Sequence, residues 1–155
     1  MSIDVVDLRA FYSQRLGTVA RHFVGRGIRK HWSDTRDLRV LGIGYPGPYL
    51  GLFREEAERC LAFMPAAQGV VKWPTVRPTL SALVDEMELP LPDAAVDRVL
   101  LVHALEMSQN ATALLREVWR VLSPGGRLLA LFMQARREES EHGQVIGPPR
   151  SEEAH

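Results

Sequence analysis

Three places in this sequence carry residue types whose spacing suits ligand chemistry. The first is Gly42-Ile43-Gly44-Tyr45-Pro46-Gly47, a literal G-x-G-x-x-G. Glycines so spaced permit a tight turn and let the backbone approach a ligand above a helix N-terminus. The second is the acidic pair Asp85-Glu86, and the third is His103, an imidazole closing an apolar run. Each also has a plain structural reading. A glycine turn ends strands that bind nothing, an aspartate caps turns, and a strand-end histidine serves structure as readily as proton transfer. Cys60 is the only cysteine, which excludes an intrachain disulfide and a thiolate zinc site, so no metal is expected.

The elements that must position these residues alternate along the chain. Leu8, Tyr12, Leu16, Val19 and Phe23 recur at three- and four-residue steps. They predict one amphipathic helix, ended by Gly25-Arg26-Gly27, with Arg9, Arg15 and Arg21 on its solvated face. Apolar runs at residues 37–44, 60–64, 80–84, 95–103 and 127–133 predict five strands, the first feeding the glycine loop. A helix is expected over residues 48–58, and a second, capped by Asn110 or Thr112, running to Leu122 with Leu114, Leu115, Val118 and Val121 inward. Pro65, Gly69, Pro74 and Pro78 break up the segment between the second and third strands. Trp119 reads as core, and Trp32 and Trp73 as either a site mouth or cover for apolar surface. The pattern predicts an α/β fold, a Rossmann-like, mostly parallel sheet with flanking helices, whose ligand lies at the carboxyl ends of the strands.

Two segments narrow the choice. DEMELPLPDAAVDRV (residues 85–99) and LLREVWRVLSPGGRL (residues 114–128), taken with the glycine loop, resemble the class I S-adenosylmethionine-dependent methyltransferases of the type 11 group. The resemblance covers residues 38–133. It implies S-adenosylmethionine as cofactor and a small-molecule methyl acceptor. Gly42, Gly44, Tyr45 and Gly47 would then seat the cofactor's aminoacyl part, and Met64 would close the second strand beside it. Asp85 would accept from the adenine amino group, the Glu86 backbone would meet the ring, and His103 would lie near the methionine end. No catalytic residue is assigned. A nicotinamide oxidoreductase, the rival cofactor enzyme, wants an acid about 20 residues past the glycines. The second strand here ends in Phe63-Met64-Pro65 instead.

The chain also departs from the family pattern. Gly42 stands where an acid is usual, Pro46 where a glycine is common, and the family's further helix and two strands give way to a polar run. The expected division is a helical region at 1–36, a cofactor-binding core at 37–133 and a disordered polar tail at 134–155, as in a form truncated at its C-terminus. A sheet lacking its last strands would leave residues 128–133 as an apolar edge, a template for a homodimer. These departures keep a second reading open, a degenerate domain that binds a partner without catalysis. Lys plus Arg equals Asp plus Glu at 19 each, so no overall field favours nucleic acid or membrane. With no signal-like start and no long apolar run, a cytoplasmic protein is expected.

Overall fold

A computed structural model describes residues 4–65 and 81–132. Two helices, α1 (Val5–Ser13) and α2 (Arg15–His31), precede β1 (Arg39–Gly44), α3 (Gly47–Leu50) and β2 (Arg59–Pro65). Then come β3 (Ser81–Val84), β4 (Val96–Val102), α4 (Ala104–Met107), α5 (Ala111–Val121) and β5 (Leu122–Leu131). The strands form one sheet in the order β3-β2-β1-β4-β5, and every pairing is parallel. The Rossmann-like α/β class expected from the sequence is therefore present. Successive strands move outward from β1 to β3, then the chain crosses back to place β4 on the other side of β1. That reversal makes the crevice between β1 and β4 the topological switch point.

Both sheet faces are apolar, which is why the strands read as continuous hydrophobic runs. Leu41, Ile43, Val99, Leu101 and Ala130 pack under Leu114, Val118 and Val121 of α5. On the other face Val40, Ala62, Leu100, Val102 and Leu129 meet Ile28 of α2, Trp32, and Tyr49, Leu50 and Phe53 around α3. Trp32 is thus a core residue, its ring 5.7 Å from that of Phe53, while Trp73 lies outside the described residues. Trp119, expected inside, is 38 % exposed because α5 turns positions 114, 118 and 121 inward.

The N-terminal helix departs from expectation. Gln14 is extended (φ −85°, ψ 160°), so one predicted helix becomes two and the apolar phase resets at the break. Leu8 stays buried, but α2 turns Gly17, Gly25 and Ile28 inward, leaving Leu16, Val19 and Phe23 exposed. Helix α2 also runs through the Gly25-Arg26-Gly27 stop to His31. Conversely, the helix expected over 48–58 shrinks to the single turn of α3, continued as hydrogen-bonded turns to Ala57. Gly47, Pro48 and Gly51 supply too little helix propensity to extend it.

Two polar clamps hold the strand ends. Asp97 accepts from the Arg39 backbone N–H (2.9 Å), the Arg39 guanidinium (3.1 and 3.3 Å) and Ser123 Oγ (2.8 Å), tying β1, β4 and β5 together. The guanidinium of Arg39 holds this carboxyl down at about 2. Arg120 donates to the carbonyls of Leu91 (2.7 Å) and Leu89 (2.9 Å), while Glu117 accepts from Leu89 N–H (2.8 Å) and from Arg120. Strand β5 begins at Leu122, paired with Val96, and takes in Ser123-Pro124-Gly125-Gly126 rather than starting after it. Its Leu128, Leu129, Ala130 and Leu131 are all at most 5 % exposed, so this outer strand of the described sheet buries its apolar side chains on both faces.

Candidate cofactor site

The glycine loop leaves β1 at Gly44, which adopts φ +101° and packs against the end of β4. A Cβ there would lie 2.3 Å from the Val102 carbonyl oxygen and about 3 Å from Ala104. Only glycine allows that approach in that conformation. The next residue, Tyr45, donates its backbone N–H to the same Val102 oxygen at 2.8 Å, strapping the loop to the switch point. Gly42 works differently. Its missing side chain is replaced by Pro46 and Leu50, whose atoms would lie 2.5 and 2.8 Å from a Cβ, so this glycine lets the loop fold onto its own strand. Gly47 opens α3, which at four residues is too short to supply a helix dipole.

His103 follows β4 in the left-handed conformation (φ +56°) and is 1 % exposed. Its backbone N–H donates to the Leu131 carbonyl at 2.8 Å. Its Nδ1 lies 3.0 Å from Glu106 Oε1, and its Nε2 lies 2.8 Å from the Tyr12 hydroxyl. A carboxylate only accepts, so Nδ1 carries the ring proton and Nε2 accepts from the phenol. Tyr12 Oη is also 2.9 Å from Tyr49 Oη, and the Tyr12 ring stacks on Tyr45 at 5.8 Å between centroids, tilted by 20°. Helix α1 is thereby fastened to the glycine loop and to the end of β4. Burial, reinforced by the neighbouring Tyr49, pushes the Tyr12 phenol well above the usual tyrosine range. Sequence patterns read Tyr12 as helix core and left Tyr49 and Glu106 unmarked. The signal for Glu106 was its H-x-x-E spacing from His103 across one turn of α4.

The acidic pair closes β3. Asp85 is exposed, and its Oδ1 accepts from Met87 N–H at 2.9 Å in a local turn. Glu86 reaches across to the start of α5, where Oε1 accepts from Gln109 N–H (3.0 Å) and Asn110 N–H (3.3 Å). Its Oε2 is buried and has no hydrogen-bond partner among the described residues. A buried carboxylate oxygen left in that state calls for a donor. Met64 is buried at the carboxyl end of β2, paired with Leu83. The parallel order thus carries all eight sequence-derived positions to one end of the sheet. Tyr12 links Tyr45 to His103, while Asp85 and Glu86 follow β3, two strands away from β1. A cleft of about 290 Å³ lined by Arg39, Arg59, Leu91 and Ala95 opens at the opposite, amino end of the strands and is no part of this site.

Fold and site together define an α/β domain with its glycine loop and His103 at the β1–β4 switch point, the place where sheets of this class bind ligands, and an acidic pair at the end of β3. A family model described as a methyltransferase domain matches residues 41–130, more than half of the chain. The chain belongs to that family, the class I group whose cofactor is S-adenosylmethionine. Among curated proteins, the demethylmenaquinone methyltransferase of Deinococcus radiodurans is 45 % identical over 47 residues, which is 30 % of this chain and 20 % of that protein. Among solved structures, a SAM-dependent methyltransferase from Aquifex aeolicus superposes with TM-score 0.56 at 18 % identity, covering 76 % of this chain and 68 % of the other. The [4+2]-cyclase SpnF gives TM-score 0.56 at 24 % identity, covering 70 % of this chain and 43 % of its own. The chain therefore matches a fifth of the curated relative and less than half of the cyclase. These likenesses carry the fold, and the cyclase shows that the fold alone does not name a reaction.

Proposed function

We propose that this chain binds S-adenosylmethionine across the carboxyl ends of β1, β3 and β4 and transfers its methyl group to a small acceptor. The observation that carries this reading is the family match over residues 41–130, which takes in every proposed site residue from Gly42 to His103. Gly44 and Tyr45 fix the turn that leaves β1 at the switch point, and Gly42 and Gly47 shape the loop that would seat the cofactor. Asp85 faces the adenine amino group, Glu86 offers the ring its backbone and a ribose hydroxyl its buried oxygen, and Met64 lines the floor. The sulfonium of the cofactor supplies an already activated methyl group, so positioning and exclusion of water are the main tasks of the protein. His103, held by Glu106 at Nδ1 and by Tyr12 at Nε2, has a positioning role at the end of β4, and no general base is assigned to the reaction. The name of the D. radiodurans relative supports a small-molecule acceptor.

The non-catalytic reading is favoured by Pro46, which lacks an N–H, and by Gly42, whose open face is already filled. Calorimetric titration separates the two. S-adenosylmethionine and S-adenosylhomocysteine should bind and NADH should not; silence toward the first two would remove the enzyme and leave the binding module. Asp85→Ala should weaken cofactor binding by about tenfold to a hundredfold, the value of a hydrogen bond to a charged group. An unchanged affinity would withdraw the adenine assignment.

A further inference from the structure

Helix α2 carries apolar side chains on the side that faces away from the domain. Leu16, Val19 and Phe23 are 68 %, 59 % and 66 % exposed, and Val6 of the adjoining α1 is 73 % exposed. Positions 16, 19, 23, 26 and 30 recur at three- and four-residue steps and share one side of the helix, with position 15 four residues before 19 on the same side. Gly17, Gly25 and Ile28 occupy the opposite, buried side. Arg15, Arg26 and Lys30 are exposed and flank the apolar stripe.

The charge of this region is one-sided. Residues 8–33 hold six Lys or Arg and no Asp or Glu. Arg29 is held by Glu56 through two bonds, at 2.8 and 2.5 Å, which takes it out of the outward set. The neutrality of the whole chain is thus a sum over a segregated distribution, with a cationic, apolar-striped helix at one place. Such a helix has the makeup of one that lies in the plane of a lipid surface, with apolar residues in the acyl boundary and cations at anionic headgroups. It has no capacity to cross a bilayer, since no helix among the described residues is long and apolar enough.

We infer that the outward face of α2 docks on an anionic lipid surface through Leu16, Val19 and Phe23, with Arg15, Arg26 and Lys30 meeting the headgroups. The complementarity of charge selects an anionic surface, and the apolar stripe between the cations selects lipid over an acidic protein. The overall balance of charge predicted no membrane partner, and the local distribution gives the opposite reading. The inference is independent of methyl transfer, because it rests on α2 alone. Helix α1, which bonds His103 through Tyr12, adjoins this face, so docking would bring the lipid surface next to the acceptor end of the site.

The test is flotation of the full chain with vesicles of phosphatidylglycerol and phosphatidylcholine, against vesicles of phosphatidylcholine alone. Binding is expected to the anionic vesicles, falling steeply with salt. Arg15→Gln, Arg26→Gln and Lys30→Gln combined should lower the partition coefficient roughly a hundredfold, at about 1 kcal/mol per cation. Val19→Ser with Phe23→Ser should weaken binding at low salt as well, with helicity in circular dichroism unchanged in both variants. No partition into anionic vesicles, or partition that survives both sets of changes in folded protein, would overturn the inference. A concentration-dependent dimer that Phe23→Ser dissolves, without vesicle binding, would also overturn it and give the face to a second copy of the chain.

Discussion

Replacing Tyr12 with Phe removes one oxygen atom and probes the joint between α1 and the site. The ring would keep its stack on Tyr45 at 5.8 Å and its edge contact with Tyr49 at 5.9 Å, so little apolar packing is lost. What disappears is the donor to His103 Nε2 at 2.8 Å, on a residue 1 % exposed, and the link to Tyr49 Oη at 2.9 Å. A buried polar atom stripped of its partner costs about 1 to 3 kcal/mol. For a chain of this size each kcal/mol moves the melting temperature by roughly 2–4 °C, so a fall of about 2 to 12 °C is expected. Urea unfolding of Tyr12→Phe, His103→Asn and the double variant would isolate the contact, since Asn tolerates the left-handed backbone at this position. The change at Tyr12 should cost at least about 0.5 kcal/mol less when His103 is already absent. Equal costs in the two backgrounds would refute the contact and, with it, the fastening of α1 to the site.

Three further outcomes concern two glycines and the tyrosines. Gly44→Ala forces a side chain onto φ +101° and to 2.3 Å from the Val102 oxygen. Backbone strain and overpacking together should lower stability by about 2 to 6 kcal/mol in urea. Gly27→Ala in α2, where nothing lies within 4 Å, should instead be neutral or raise stability by about 0.5–1 kcal/mol. The three tyrosines, Tyr12, Tyr45 and Tyr49, all have phenols raised above the ordinary value of 10.0, chiefly by burial. Absorbance at the tyrosinate band should therefore rise at higher pH in the folded chain than in urea. A group whose folded pKa is raised contributes stability that is complete below its unfolded pKa, so this contribution should decline as pH climbs above about 10. Coincident folded and unfolded titrations would remove the burial argument.

How much of this was legible in the sequence depended on how local the cause was. Strands β1, β2, β4 and β5 announced themselves because a parallel sheet covered on both faces demands unbroken apolar runs. The cap of α5 was equally local, with Asn110 accepting from Ala113 N–H at 3.0 Å. Helix α2 misled because Leu8, Tyr12, Leu16, Val19 and Phe23 do form a perfect helical stripe on paper. A single extended residue, Gln14, rotates the second half of that stripe out to solvent. Nothing in composition marks Gln14 as a break. The Tyr12–His103 contact spans 91 positions and has no periodic signature at all. His103 and the glycine loop could be nominated from sequence, but the group that touches the histidine could not.

The clamp at Arg120 gives the recognisable part of this chain a different meaning. The two segments that resemble the family, residues 85–99 and 114–128, are bound to each other by Arg120 and Glu117 through the carbonyls and amide of Leu89 and Leu91. None of those contacts involves the glycine loop or His103. Glu117 and Arg120 therefore behave as a joint in a chassis, holding the spacing between β3, β4 and α5. A domain jointed in this way can exchange its site loops and N-terminal helices for others and still assemble. Grafting experiments on this fold should accordingly respect Glu117 and Arg120 as fixed points, together with Gly44 where the loop after β1 is strapped to Val102.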